Sequence, residues 1–330
     1  MTIIRMAGAQ DVVAWSSPVA TGVVPAAVAC AGRAGQRAWL DFFAAQIRNR
    51  NTRQAYAHAV HRLFDWLAEH EIHDVVDIES VHIAVWVEAR MREASRPTVK
   101  QELAGVWRLF DWLTVRQVVS SSPAAAVRGP KHTVRRGTTP VLSAAECRRF
   151  LRSIPVETVG GLRDRALIAT MTYSFARVSA ALAMNVKDVI FTDSRLRLRL
   201  HEKGGKVLEV PCHHNLEAFL RDYTVTAGIG IDRNGPLFRA LNGDGSLSDR
   251  RLNRRRARDM IRRRARAAGI STDVCNHSFR ATGITAYLEN PEARVEVAQY
   301  LAGHADPKTT KLYGRRDDRV SLDEIERIGI

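Results

Sequence analysis

Residues 276–314 read NHSFRATGITAYLENPEARVEVAQYLAGHADPKTTKLYG, and the reading of the whole chain starts from them. His277 and Arg280 stand three apart, so on a helix they share a face and can address one group. Gly303-His304 follows the next apolar stretch, and Asp306-Pro307 then opens a short helix. This places Tyr313 near the second turn of that helix, nine residues after His304. A lone tyrosine there is ordinarily a packing residue. Of the others, Tyr56, Tyr173, Tyr223, Tyr287 and Tyr300, none follows a Gly-His pair at this spacing. Tyr300 is the nearest competitor, but it precedes the pair on what reads as a core helix.

Upstream, Arg195-Leu196-Arg197-Leu198-Arg199-Leu200 alternates with period two, as a strand with one buried face does. Glu202 to Lys206 supplies a turn, with Gly204 and Gly205 permitting positive φ, and Val207 to Val210 returns as the partner strand. Before the hairpin lies Ala176-Arg177-Val178-Ser179. After it, residues 250–266 hold ten arginines, while Ala257, Ile261, Ala265 and Ala268 keep a helical apolar stripe. Ten like charges on one helix repel each other and call for an anionic partner. The whole chain agrees: 50 Lys+Arg against 35 Asp+Glu leave a net charge of +15 in 330 residues. A surplus of that size suits a polyanion, because neutralised phosphates release condensed counterions.

Taken singly, these segments are weak signals. In this order and spacing, Arg177, Lys203, His277-x-x-Arg280, Gly303-His304 and Tyr313 resemble the tyrosine recombinase (phage integrase) family, in particular integrases of bacterial mobile elements. The likeness runs from about Ser143 to Tyr313 and includes Leu162-Arg163-Asp164-Arg165-Ala166-Leu167 and Pro236-Leu237-Phe238. It implies a mainly α, two-domain protein: a helical core-binding domain, and a mostly helical catalytic domain with a small antiparallel β-sheet. It also implies site-specific strand exchange through a 3′-phosphotyrosine and a Holliday junction. Arg177 and Arg280 would clamp the non-bridging phosphate oxygens, since a guanidinium fork matches phosphate geometry. His277 would take the tyrosine proton or support the phosphate, and His304 would add a hydrogen bond to it. Lys203 would protonate the departing 5′ oxygen. Lys206 is its rival; Lys203 is preferred because the family's lysine precedes a glycine at the turn. Tyr313 would attack, with no cofactor, metal or nucleotide. Two positions depart from the family pattern: Ala180 replaces an acidic residue three places after the first arginine, and Ala281 a common histidine. The first is expected to loosen the support of Arg177.

The domain boundaries expected are an arm over 1–31, the core-binding domain over 32–119, a basic linker over 120–140 and the catalytic domain over 141–330. In the core-binding domain, Tyr56, Val60, Leu63, Phe64 and Leu67 make one amphipathic stripe. Val99, Leu103, Val106, Phe110 and Leu113 make a second, opened by a Thr98–Gln101 capping box. Its tryptophans read as core rather than as base-stacking platforms. Ser143 with Glu146 caps the first catalytic helix. Candidate DNA contacts are Arg53, Thr98 and Lys100 in the first domain, Lys131 and Arg135 in the linker, and Arg254 and Arg255 on the arginine helix. The resemblance implies a double-stranded DNA partner with a specific site, clamped between the domains by a monomer that becomes a homotetramer on synapsis, with room for accessory DNA-bending proteins. No run approaches the roughly 18 apolar residues a membrane helix needs.

Four scattered cysteines (Cys30, Cys147, Cys212, Cys275) fit a reducing cytoplasm, and Cys212-His213-His214 lacks a second ligand pair at zinc-finger spacing. After Tyr313, Ser321-x-x-Glu324 with Leu322, Ile325 and Ile328 reads as a terminal helix that docks within the chain or on a neighbouring protomer. Two other classes compete. A type IB topoisomerase-like enzyme would use the same chemistry without exchanging partners, and a DNA-binding regulator would have no need of Tyr313. A metal-dependent nuclease fits least, for want of a carboxylate cluster.

Overall fold

The computed structural model describes residues 23–132, 137–191, 195–202, 205–304 and 306–313, without the side chains of Lys308 and Lys311. Lys203, Arg135, most of the arm and the Ser321–Ile328 segment lie outside the described residues. The chain divides into two compact units, with the break between residues 133 and 134.

The first unit is helical: α1 (Ala26–Cys30), α2 (Gly32–Asp41), α3 (Arg50–Glu69), α4 (Ser80–Glu93) and α5 (Arg96–Val115), with a π turn at Phe42–Gln46. Asn49 starts α3 by accepting from the Asn51 and Thr52 amides at 3.0 and 3.2 Å. The two expected stripes, from Val60 to Leu67 and from Val99 to Leu113, face each other in the core. Trp39 and Trp86 are fully buried, and the half-buried Trp107 and Trp112 donate to the Ala124 and Ala38 carbonyls at 2.9 and 2.8 Å.

Three local expectations need correcting. Helix α5 begins two residues before Thr98, at Arg96 with Pro97 in the first turn, and Thr98 Oγ1 bonds Ser95 Oγ at 2.9 Å instead of capping. Proline's fixed φ suits a first turn, and that outweighed the capping-box pattern. The arm does not extend to Ala31: α1 buries Ala27 and Val28 in the first core. Nor is all of 120–140 linker, because Ala124 and Val127 complete that same core. Their apolar side chains gain more by burial than the Ser- and Pro-rich composition indicated.

The second unit runs α6 (Ala144–Arg152), α7 (Val159–Tyr173), α8 (Val178–Ala183), β1 (Val189–Phe191), β2 (Leu196–His201), β3 (Val207–Pro211) and α9 (His214–Thr226). It continues with β4 (Arg239–Leu241), β5 (Leu247–Arg251), α10 (Arg254–Ala267), α11 (Ser278–Leu288), α12 (Val295–Ala302) and α13 (Pro307–Lys311). Ser143 and Glu146 form the expected reciprocal cap of α6, at 2.9 and 3.2 Å. Helix α7 is the central pillar, buried on almost every side. Gly283 lets α11 cross its end closely, since a Cβ there would stand 1.9 Å from the Thr172 carbonyl oxygen.

Strands β1, β2 and β3 form an antiparallel sheet in that order, with Leu198 opposite both Val189 and Val210. Leu196, Leu198 and Leu200 point into the core, as their alternation predicts. The pair β4–β5 has no counterpart in the sequence reading. It takes Arg250 and Arg251 out of the expected arginine helix, which starts at Arg254 after an Asn253 cap. On α10, Ala257, Met260, Ile261 and Ala265 are buried, and most of its arginines face outward. Arg264 is an exception: it grips the buried Asp164 of α7 with Nε and Nη2 at 3.0 and 2.9 Å. Asp164 also accepts from Arg163, so the Arg163-Asp164 pair bolts α10 to the pillar.

Candidate active site

Arg177, His277, Arg280, His304 and Tyr313, more than a hundred residues apart at the extremes, meet at one place in the second unit. Arg177 is the N-cap of α8 and His277 the N-cap of α11, with Arg280 one turn along. Gly303 ends α12 at φ +56°, a left-handed conformation open to glycine, and turns the chain so that His304 faces Arg280. Helix α13 then delivers Tyr313, though not on its second turn. The helix stops at Lys311, and Tyr313 sits in the following turn, its amide on the Thr310 carbonyl at 3.0 Å. Thr285 Oγ1 donates to the Tyr313 carbonyl at 3.2 Å.

The contacts are those of a proton-transfer pair beside two cations. His277 Nε2 lies 3.0 Å from Tyr313 Oη. Burial, then the charges of Arg280, Arg177 and Arg254, hold the His277 ring below its ordinary pKa. It is therefore neutral at pH 7 and able to accept a proton. Arg280 is 1% exposed. It donates from Nη1 to the Phe175 carbonyl, and from Nη2 to the Ala302 carbonyl at 2.6 Å and to His304 Nε2 at 2.8 Å. Its Nε finds no partner among the described residues. Burial first, and Arg177 second, push its pKa down to about 10, which still leaves it charged at neutral pH.

An arginine can only donate, so His304 Nε2 must accept, and the ring proton sits on Nδ1, 2.9 Å from Thr310 Oγ1. Burial, with Arg280, Arg177 and His277 adding to it, lowers the His304 pKa to about 4. The expected hydrogen bond from His304 to phosphate is thus not available in this arrangement. The ring instead braces Arg280 on one side and stacks on Tyr313 on the other, with centroids 5.7 Å apart and planes at 11°. Its folded pKa lies below the unfolded value near 6.5, so between the two the unfolded chain holds the extra proton. Stability is therefore full above about pH 6.5 and declines as pH falls towards 4. Thermal unfolding followed from pH 7.5 to 4.5 should show that decline, and His304→Asn should flatten it.

Around this centre, Arg177, Val178, Ser179, Arg254, Arg255, Arg258, Asn276 and His277 line an open cleft of about 810 Å³. The two arginine-helix candidates, Arg254 and Arg255, therefore open onto the same space as Arg177. In the first unit Thr98 and Lys100 are exposed, and so is Lys131. Arg53 holds the Ile47 carbonyl with Nε and Nη2 at 3.0 and 2.7 Å, a structural contact. Cys212 is buried, which pushes its thiol up to about 12. His213 caps α9 and stacks between Tyr173 and His214.

Sequence reading missed four participants. Phe175 has φ +53°, a left-handed conformation that costs an aromatic residue about 1–3 kcal/mol and turns its carbonyl to Arg280. Thr310 orients His304, and the Ala302 carbonyl anchors Arg280. Glu202 pairs with Arg177. Only Glu202 carried a signal, as an acid beside the turn lysine.

Residues 140–319 match the pattern of the phage integrase family, and residues 38–117 that of the phage integrase N-terminal SAM-like domain. The chain is 30% identical over 267 residues to tyrosine recombinase XerD of Ralstonia nicotianae, covering 80% of this chain and 83% of that one. It is also 30% identical over 278 residues to tyrosine recombinase XerC of Xanthomonas axonopodis pv. citri, covering 81% and 87%. The fold is similar to that of XerH site-specific recombinase bound to palindromic difH substrate (TM-score 0.67, 19% identity, 84% and 79% covered). It is likewise similar to a lambda integrase tetramer bound to a Holliday junction (TM-score 0.66, 18% identity, 87% and 80% covered). The chain belongs to the phage integrase family, the tyrosine recombinases, and is a site-specific DNA recombinase. The fold is the mainly helical one with small antiparallel sheets that the family resemblance implies.

Proposed function

We propose that this recombinase cuts and rejoins DNA through a 3′-phosphotyrosine on Tyr313 and exchanges strands in pairs between two duplexes. The observation that carries the reading is the 3.0 Å contact of Tyr313 Oη with His277 Nε2, whose pKa burial and the neighbouring Arg280 and Arg177 hold down. In the forward step Tyr313 Oη bonds to phosphorus as its proton passes to His277 Nε2. The bond from phosphorus to the 5′ oxygen breaks, and Lys203 protonates that oxygen. Arg177 and Arg280 hold the charge that gathers on the non-bridging oxygens, the effect that usually contributes most in such chemistry. Rejoining runs the same steps backwards with a 5′ hydroxyl from the partner duplex, so the phosphodiester energy is conserved. The cationic cleft beside Arg254 and Arg255 holds the backbone flanking the cut, mostly through phosphates.

We place four protomers on two DNA sites, assembling from monomers, in keeping with the family and with the assembly of lambda integrase on a junction. No described helix is long and apolar enough to cross a membrane, and we assign the protein to the cytoplasm because its substrate lies there.

The test uses nicked duplexes cut from the DNA flanking the protein's own gene, incubated with the full chain in EDTA. A covalent adduct with a free 5′ hydroxyl, followed on intact duplexes by products with exchanged flanks, is expected. Adducts that relax supercoiled DNA without exchanging flanks would favour a swivelling enzyme. DNA binding at a footprinted site with no adduct would favour a regulator.

A further inference from the structure

A phosphate clamp built from two arginines has an internal difficulty: both cations must aim at one point while repelling each other. In the family pattern an acidic residue three places after the first arginine eases this, and here that place is Ala180, which is 2% exposed in the core. The carboxylate comes from elsewhere. Glu202, immediately after β2, forms an ion pair with Arg177 Nη1. Its amide donates to the Lys206 carbonyl at 2.7 Å, so the end of the hairpin fixes where the carboxylate stands.

The relative exposures decide what this pair does. The Glu202 side chain is 4% exposed and that of Arg177 33%. Arg177 lines the cleft and Glu202 does not. The carboxylate is therefore behind the guanidinium, where it cannot face a bound phosphate, and Arg177's remaining donors stay on the open side. Gly303 backs the pair: a Cβ there would stand 3.7 Å from Arg177 Nη1 and 4.0 Å from Glu202 Cγ. The turn that presents His304 thus also closes over the ion pair. Its charge reaches further, since Glu202 favours the charged form of Arg280 while Arg177 opposes it.

We propose that Glu202 is the positioning residue for Arg177, supplying from the end of β2 the carboxylate that Ala180 cannot. This rests on the reading of Arg177 as a phosphate clamp. It corrects the expectation that Ala180 leaves Arg177 loosely supported.

The test is single-turnover cleavage by the full chain on a nicked flanking duplex that traps the wild-type adduct. Glu202→Gln keeps the shape and removes the charge. Its cleavage should slow 10- to 100-fold, with DNA affinity within twofold and an unchanged melting temperature, and Glu202→Asp should recover part of the rate. Groups acting as a unit are not additive, so in an Arg177→Ala background Glu202→Gln should cost less than threefold. Cleavage by Glu202→Gln at or above the wild-type rate would overturn the proposal, since the carboxylate would then be restraining Arg177. A full loss persisting in the Arg177→Ala background would also overturn it, because Glu202 would be acting through another group. Wild-type cleavage by Arg177→Ala alone would remove the clamp reading underneath, and the two failures are told apart by that single variant.

Discussion

Arg280→Ala should lower the rate of DNA cleavage by at least about a thousandfold, on the order of 4 kcal/mol of transition-state stabilisation. The side chain is buried, charged, and held by the Phe175 carbonyl, the Ala302 carbonyl and His304. Truncation removes the cation proposed to meet the phosphate and takes the guanidinium donor from two buried carbonyls, each worth about 1–3 kcal/mol. Phe175 also loses the contact that holds its left-handed backbone. The variant should therefore melt several degrees lower as well as cleave slowly. Arg280→Lys separates the effects, because it keeps a positive charge but cannot reach three acceptors at once. It should stay slow by more than a hundredfold while recovering part of the stability. Single-turnover cleavage and thermal melting measured on both variants check this. A fall of less than tenfold in Arg280→Ala would mean that Arg280 is only a structural strut.

Tyr313→Phe should abolish the covalent adduct altogether and leave almost everything else alone. The substitution removes one oxygen and its 3.0 Å contact with His277, but keeps the ring that stacks on His304. The Thr285 bond is to the main-chain carbonyl of residue 313 and survives. Affinity for DNA should change by less than about twofold, since phosphate contacts elsewhere dominate binding. Stability should change by no more than about 1 kcal/mol, the net worth of one hydrogen bond. Gel-shift titration, melting and adduct trapping on the same preparation test the three statements together.

What could be read in advance was whatever repeats along the chain or sits within one helical turn. The Leu196–Leu200 alternation, the Val99–Leu113 stripe and the His277-x-x-Arg280 pair are local patterns, and each occupies the element it predicts. The strands β1, β4 and β5 are three to five residues long, too short for a period to show. Arg250 and Arg251 read as helix because arginine is a good helix former, but pairing with Arg239 and its neighbours holds that stretch in a sheet. The braces of the site were illegible for another reason. Glu202 on Arg177 and Phe175 on Arg280 join residues 25 and 105 positions apart, and the latter acts through a carbonyl that every residue possesses. Nothing in the sequence marks Thr310 as the partner of His304 either, because a threonine in a short helix ordinarily faces water. The sequence carries the groups proposed to meet phosphate, and the fold decides which groups hold them still.

The most direct test of the whole account is to find which residue carries the DNA. Wild-type adduct trapped on a nicked flanking duplex would be digested with nuclease and trypsin, and the nucleotide-bearing peptide sequenced by mass spectrometry. The account predicts a phosphonucleotide on the fragment spanning residues 312–315, at Tyr313. A modified fragment spanning residues 295–308, which contains Tyr300, or modification anywhere else in the chain, would contradict it.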